Sequence, residues 1–135
     1  MMRGILAGLA LTLIALPAWA QTTEDIRDGC AGGHDFLSCD ALLQIDKDNP
    51  AKLAEDYNNR ALNFGNQKRY DEAISDLNRS IALVPDQFVP YFNRGIAYEA
   101  KGQRDLAISD YRMAHRLNPN DGDIISALNR LGAAP

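Results

Sequence analysis

The sequence predicts an all-α fold, a short right-handed solenoid of antiparallel helix hairpins, and three observations predict it. A stretch of 34 residues recurs without a gap, each copy holds two apolar patterns of helical period, and each copy closes on a proline. Setting 54–87 above 88–121 gives ten identities in 34 places: Tyr57/Tyr91, Asn59/Asn93, Arg60/Arg94, Asp71/Asp105, Ala73/Ala107, Ile74/Ile108, Ser75/Ser109, Asp76/Asp110, Leu83/Leu117 and Pro85/Pro119. Ordinary composition yields about two such matches by chance. A period of this length marks stacked supersecondary units.

In chain order, residues 1–20 read as an export signal. Arg3 gives a basic start, Gly4 to Leu16 an apolar stretch, and Pro17-Ala18-Trp19-Ala20 the small-x-small pattern that a signal peptidase accepts. The stretch is short for a bilayer span, which takes about 20 residues; an uncleaved anchor is the alternative. Cleavage after Ala20 leaves a chain that inserts in no membrane and is secreted or periplasmic. Residues 21–53 form a flanking segment with a cysteine pair and one helix, Phe36–Ile45. In the first copy (54–87), Tyr57, Ala61 and Phe64 fall at i, i+4 and i+7, one face of a helix. After a polar break at Gln67-Lys68-Arg69, a second stripe runs through Ala73, Ile74, Leu77, Ile81 and Val84. Pro85 stops it, lacking an amide hydrogen and clashing with the preceding turn. The second copy (88–121) repeats this with Tyr91, Gly95 and Tyr98, a break at Lys101-Gly102-Gln103, then Ala107, Ile108, Tyr111 and Ala114 before Pro119. From 122 to 135, Ile124, Ile125, Leu128 and Leu131 make one more amphipathic helix stopping at Gly132, the cap an array of repeats needs.

Composition narrows the function. The chain of 135 residues has 14 basic and 18 acidic side chains, net charge −4, which argues against a nucleic-acid binder working by counterion release. Two cysteines and two histidines are few for a closed zinc site. No Gly-rich phosphate loop, Gly-x-Ser-x-Gly or His-Glu-x-x-His occurs, and His115 reads as a helix-surface residue. The expectation is a non-enzymatic protein without cofactor or resident metal.

A 34-residue helix–turn–helix opening on an aromatic (Tyr57, Tyr91), followed by a small residue (Ala61, Gly95), a second aromatic (Phe64, Tyr98), a spaced alanine (Ala73, Ala107) and a terminal proline resembles the tetratricopeptide repeat. Arg60 and Arg94 depart from the usual pattern, standing where leucine is common. The resemblance implies a protein- or peptide-binding module whose concave face is lined by the first helix of each pair. The candidates there are Asn58, Asn59, Asn63 and Asn66 in the first copy, and Phe92, Asn93, Ile96 and Glu99 in the second. Asn59 and Asn93, at one place in both copies, are expected to form an amide ladder for a ligand backbone, since an amide both donates and accepts; tying down the neighbouring hairpin is the alternative. The basic residues with which some members of this family grip C-terminal carboxylates are not evident at the matching places.

Two constellations remain. Cys30 and Cys39, with glycines between them, form a disulfide by default in an exported chain; a metal site with His34, aided by Asp35 or Asp28, and free thiols are the alternatives. Arg60/Asp76 and Arg94/Asp110, each sixteen apart, suit ion pairs between the two helices of a hairpin, or else a ligand role. Two other functions stay open: a subunit docked on a larger envelope complex, and metal handling through Cys30, His34 and Cys39.

Overall fold

The computed structural model describes residues 22–32 and 35–135, so the export signal and His34 lie outside it. Among the described residues seven helices follow one another: α1 (Thr23–Ala31), α2 (Phe36–Ile45), α3 (Pro50–Asn66), α4 (Tyr70–Leu83), α5 (Phe88–Ala100), α6 (Arg104–Leu117) and α7 (Gly122–Arg130). No strand occurs among the described residues. Each helix packs chiefly on its neighbours in sequence, α1 on α2, α3 on α4, α5 on α6, with α5 seated on α4 and α7 on α6. That is the quasi-one-dimensional stack of a solenoid.

Local chemistry sets the boundaries. Thr22 and Asp25 cap α1 reciprocally, Asp35 caps α2, and Asp121 caps α7. Helix α3 opens four residues before the sequence echo, because Asn49 Oδ1 accepts from Lys52 N at 3.2 Å and Pro50 takes the first helical position, where its missing N–H is no loss. Helices α3, α5 and α7 end alike. The amides of Arg69, Gln103 and Ala133 reach back to the carbonyls of Phe64, Tyr98 and Leu128, each at 2.9 Å. The residue before each has positive φ: Lys68 (61°), Gly102 (75°) and Gly132 (64°). This is the left-handed cap that glycine fits without strain, and Lys68 does not.

The core divides by hairpin. Cys30, Cys39 and Leu42 are buried with Ile26 against them; Ala61, Ala73 and Leu77 are buried with Phe64 packed half-buried on them; Tyr91, Ala107, Ile108, Tyr111 and Ala114 merge with Ile124, Ala127 and Leu128 of α7. Small residues stand opposite large ones. Gly95 lies against the Tyr111 ring, close enough that a Cβ there would sit 2.6 Å from Cε1. The first copy places Ala61 and Leu77 at the same two positions.

Candidate functional site

The two arginines that break the repeat pattern staple their hairpins. Arg60 donates from Nε and Nη2 to the two carboxylate oxygens of Asp76 at 2.7 and 2.8 Å, and Arg94 does the same to Asp110 at 2.7 and 2.8 Å. The third guanidinium edge of Arg60 reaches Asp40 of α2 at 2.7 Å, and that of Arg94 reaches Asn78 of α4 at 2.6 Å. Each staple thereby also joins one hairpin to the previous one. The carboxylates beside them, Asp76 first for Arg60 and Asp110 first for Arg94, raise both guanidinium pKa values. A planar fork suits this two-oxygen grip, which occupies both side chains.

The N-terminal hairpin is fixed by a second set of polar contacts. Cys30 and Cys39 are joined by a disulfide with Cα atoms 4.8 Å apart, so neither sulfur is a metal ligand. No metal-ligating cluster occurs among the described residues. Asn63 is buried and donates to the carbonyls of Cys30 and Asn59, both at 2.9 Å. It therefore ties α3 to α1 and does not face a groove. Arg27 of α1 reaches Asp46 at 2.7 Å and the fully buried Asp56 of α3 at 3.2 Å. Burial, then the adjoining Asp46, pushes the Asp56 carboxyl up to about 7, while the hydrogen bond from Arg27 holds Asp46 below its usual range. His115 is half-buried, its Nδ1 enclosed with no partner among the described residues, a departure from the expected surface position.

A cleft opens where α5 leans on α4 and α3 stands aside. Its volume is about 230 Å³, and Ala61, Leu62, Gly65, Asn66, Tyr70, Ala73, Leu77, Asn93, Ile96, Ala97 and Ala100 line it. Leu62 and Ile96, 42% and 46% exposed, hold the same place in the two copies and face it. Of the eight predicted groove residues, Asn66, Asn93 and Ile96 meet in this cleft. Asn58 and Asn59 line a separate hollow with Lys52, Glu55 and Gln87. The expected Asn59–Asn93 ladder is absent: Asn93 Nδ2 donates to Asn58 Oδ1 at 2.8 Å, because Asn58 stands on the side of α3 toward α5. Phe92 packs on Tyr111, ring centroids 5.5 Å apart. Glu99 accepts from Arg130 and from the Tyr111 hydroxyl, both at 2.8 Å, and Arg130 first, then Tyr111, lowers its pKa. Phe92 belongs to the C-terminal core, whereas Glu99 is partly exposed and lines a shallow hollow with Ile96, Ala100 and Arg130. Leu62 was missed as a lining residue, although its pairing with Ile96 across the echo was the signal for it.

Comparison with known proteins agrees with this architecture. A family model described as "Tetratricopeptide repeat" matches residues 89–121, and one described as "TPR repeat" matches residues 66–102. The family models thus support tetratricopeptide repeats in this chain, and the all-α stack of hairpins is the fold of solved repeat domains. The Arabidopsis OM64 TPR domain superposes with TM-score 0.70 at 24% identity, covering 82% of this chain and 90% of that one. The first TPR of Spaghetti (RPAP3) bound to HSP90 peptide SRMEEVD superposes with TM-score 0.70 at 24% identity, covering 82% and 86%. Among curated sequences, a DnaJ homolog subfamily C member 7 homolog from Schizosaccharomyces pombe is 34% identical over 89 residues, 66% of this chain. This chain spans only 19% of that relative's length.

Proposed function

We propose that this chain is a non-enzymatic binding module that holds an extended protein or peptide segment in the cleft between α3 and α5. The observation that carries the reading is the cleft itself: an open hollow of about 230 Å³ with an apolar floor and two amides, Asn66 and Asn93, at its side. Such a mixture suits a ligand held by apolar contact and oriented by a few polar groups. A solved repeat domain of the same fold is bound to an HSP90 peptide, which supports peptide holding. The staples and the disulfide belong to the scaffold in this reading. The lack of a known catalytic motif supports a non-enzymatic role.

We place the protein outside the cytoplasm, as an exported bacterial-type repeat protein. The basic start, apolar stretch and Pro17-Ala18-Trp19-Ala20 support export, and a disulfide is the bond an oxidising compartment sustains. A docking subunit is the second reading, favoured by Leu37 and Ile45, 80% and 49% exposed two turns apart on α2. Panning a random dodecapeptide library on the disulfide-bonded chain tests the first reading. Peptides whose binding is lost in Leu62→Asp but kept in Leu37→Asp support the cleft; the reverse pattern moves the function to α2.

A further inference from the structure

The chemistry around the cleft says which segments it takes. None of its eleven lining residues carries a charge. Leu62 and Ile96 project two large aliphatic side chains at its mouth, over a floor of Ala61, Ala73, Leu77 and Ala97. Removing such side chains from water by covering them with other apolar groups is favourable, in proportion to the area covered.

The arginines that staple the hairpins are already committed. Arg60 and Arg94 are gripped through two oxygens by Asp76 and Asp110, which are buried. Turning either arginine to a ligand would abandon a buried carboxylate, which is strongly unfavourable. Lys101 is paired with Asp71. Beyond Ile96, the rim continues to Ala100 and Arg130, where Arg130 is neutralised by Glu99 at 2.8 Å. An acidic side chain or terminal carboxylate entering the cleft would therefore lose water and meet no cation among the lining residues, a cost that neutral residues do not bear.

The remaining polar groups do not discriminate by charge. Asn66 stands exposed at the mouth, and Asn93, on the cleft wall, gives Nδ2 to Asn58 while its carbonyl oxygen has no partner among the described residues. Amides of this kind bond to the backbone of any extended segment. Affinity then comes from the ligand's side chains on Leu62 and Ile96.

Resting on the peptide-holding reading above, we propose that the cleft selects uncharged segments carrying large apolar side chains and rejects acidic, carboxylate-ended tails. The library panning should enrich apolar, uncharged dodecamers. By titration calorimetry on the disulfide-bonded chain, the consensus peptide should bind at least about tenfold more tightly than SRMEEVD, a ratio equivalent to about 1.4 kcal/mol. Ile96→Lys introduces the missing cation at the rim and should reverse that order, a gain that misfolding cannot produce. Enrichment of acidic sequences, or equal affinity of the unaltered chain for SRMEEVD, overturns the selectivity and leaves peptide holding intact. Failure to enrich any peptide overturns the peptide-holding reading and the selectivity with it.

Discussion

A methyl group added at Gly95 has no room. Its carbon would lie 2.6 Å from Cε1 and 2.7 Å from Cδ1 of Tyr111, roughly 1 Å inside ordinary carbon–carbon contact. Tyr111 cannot simply swing aside. It is fully buried, and its hydroxyl is held by Glu99 at 2.8 Å, which Arg130 holds in turn. Overpacking of this kind costs about 1–3 kcal/mol. Approaches of 2.6 and 2.7 Å to a buried, tethered ring put this site in the upper part of that range, about 2–3 kcal/mol; the better helix preference of alanine returns up to about 1 kcal/mol, so Gly95→Ala should lose about 1–2 kcal/mol, at roughly 4–8 °C of Tm per kcal/mol. The first copy carries the compensated pair, Ala61 against Leu77. Gly95→Ala with Tyr111→Leu therefore transplants that pair, and its loss should be smaller than the sum of the single losses by about 1 kcal/mol or more. Urea denaturation followed by far-UV circular dichroism measures all four corners of the cycle. A Gly95→Ala protein as stable as the parent, or strictly additive losses, would show that contact between these residues does not set the hairpin spacing.

Other expectations follow from single residues. Lys68→Gly relieves the one non-glycine positive φ among the described residues and should stabilise the chain by about 0.5–1 kcal/mol, since the left-handed region costs a side-chain-bearing residue about 1–2 kcal/mol and glycine returns part of this as chain entropy; an unchanged or lowered urea midpoint counts against the turn assignment. The Asp56 carboxyl rises from an ordinary 3.8 to about 7 on folding, so its contribution to stability is fully present below pH 3.8 and is lost as the pH climbs through 7. Asp56→Asn should accordingly stabilise at pH 8 by about 1–2 kcal/mol, well under the roughly 4.4 kcal/mol of an unscreened shift at 1.36 kcal/mol per pH unit, and should change little at pH 3.5; equal effects at both pH values would refute this. Replacing Cys30 and Cys39 together by serine should cost about 2–3 kcal/mol for so short a loop, read as a lower Tm that reducing agent no longer affects.

Much of the fold was legible because its determinants are local and periodic. The second-copy stripe Tyr91, Gly95, Tyr98 and the stop at Pro119 fixed α5 and α6 within a few residues. Helix α2 and the cap α7 followed from apolar spacing and from Gly132. Helix α1 was not legible, because Thr23–Ala31 has few apolar residues. It is held by a disulfide, by Arg27 on two carboxylates and by Asn63, all from partners elsewhere in the chain. The same distance defeats side-chain assignment at the cleft. One face of α3 can be drawn from sequence, but which of four asparagines turns inward depends on where α1 and α5 settle. Asn63 went to Cys30 and Asn58 to Asn93, leaving Asn66 for the cleft. Asp56, an acid fully buried in a helix of mixed composition, gives no sequence signal at all.

The disulfide makes the two ends of the stack unequal. At one end, α1 and α2 are cross-linked to each other and wedged onto α3 by Arg27 and Asn63. At the other, α7 rests on α6 with no covalent tether, held by apolar packing, Arg130 on Glu99 and Arg104 on the Leu131 carbonyl. Linear arrays open from their weakest terminus. Amide hydrogens should exchange earliest in α7, then in α6, with the slowest toward α3. Each excursion of α7 bares the seat of Ile124, Ala127 and Leu128 on α6, a sticky end that another copy's α7 can fill. Mild heating should therefore produce chains joined tail to tail before the bolted end loosens, so the cross-link governs how this protein aggregates as well as how stable it is.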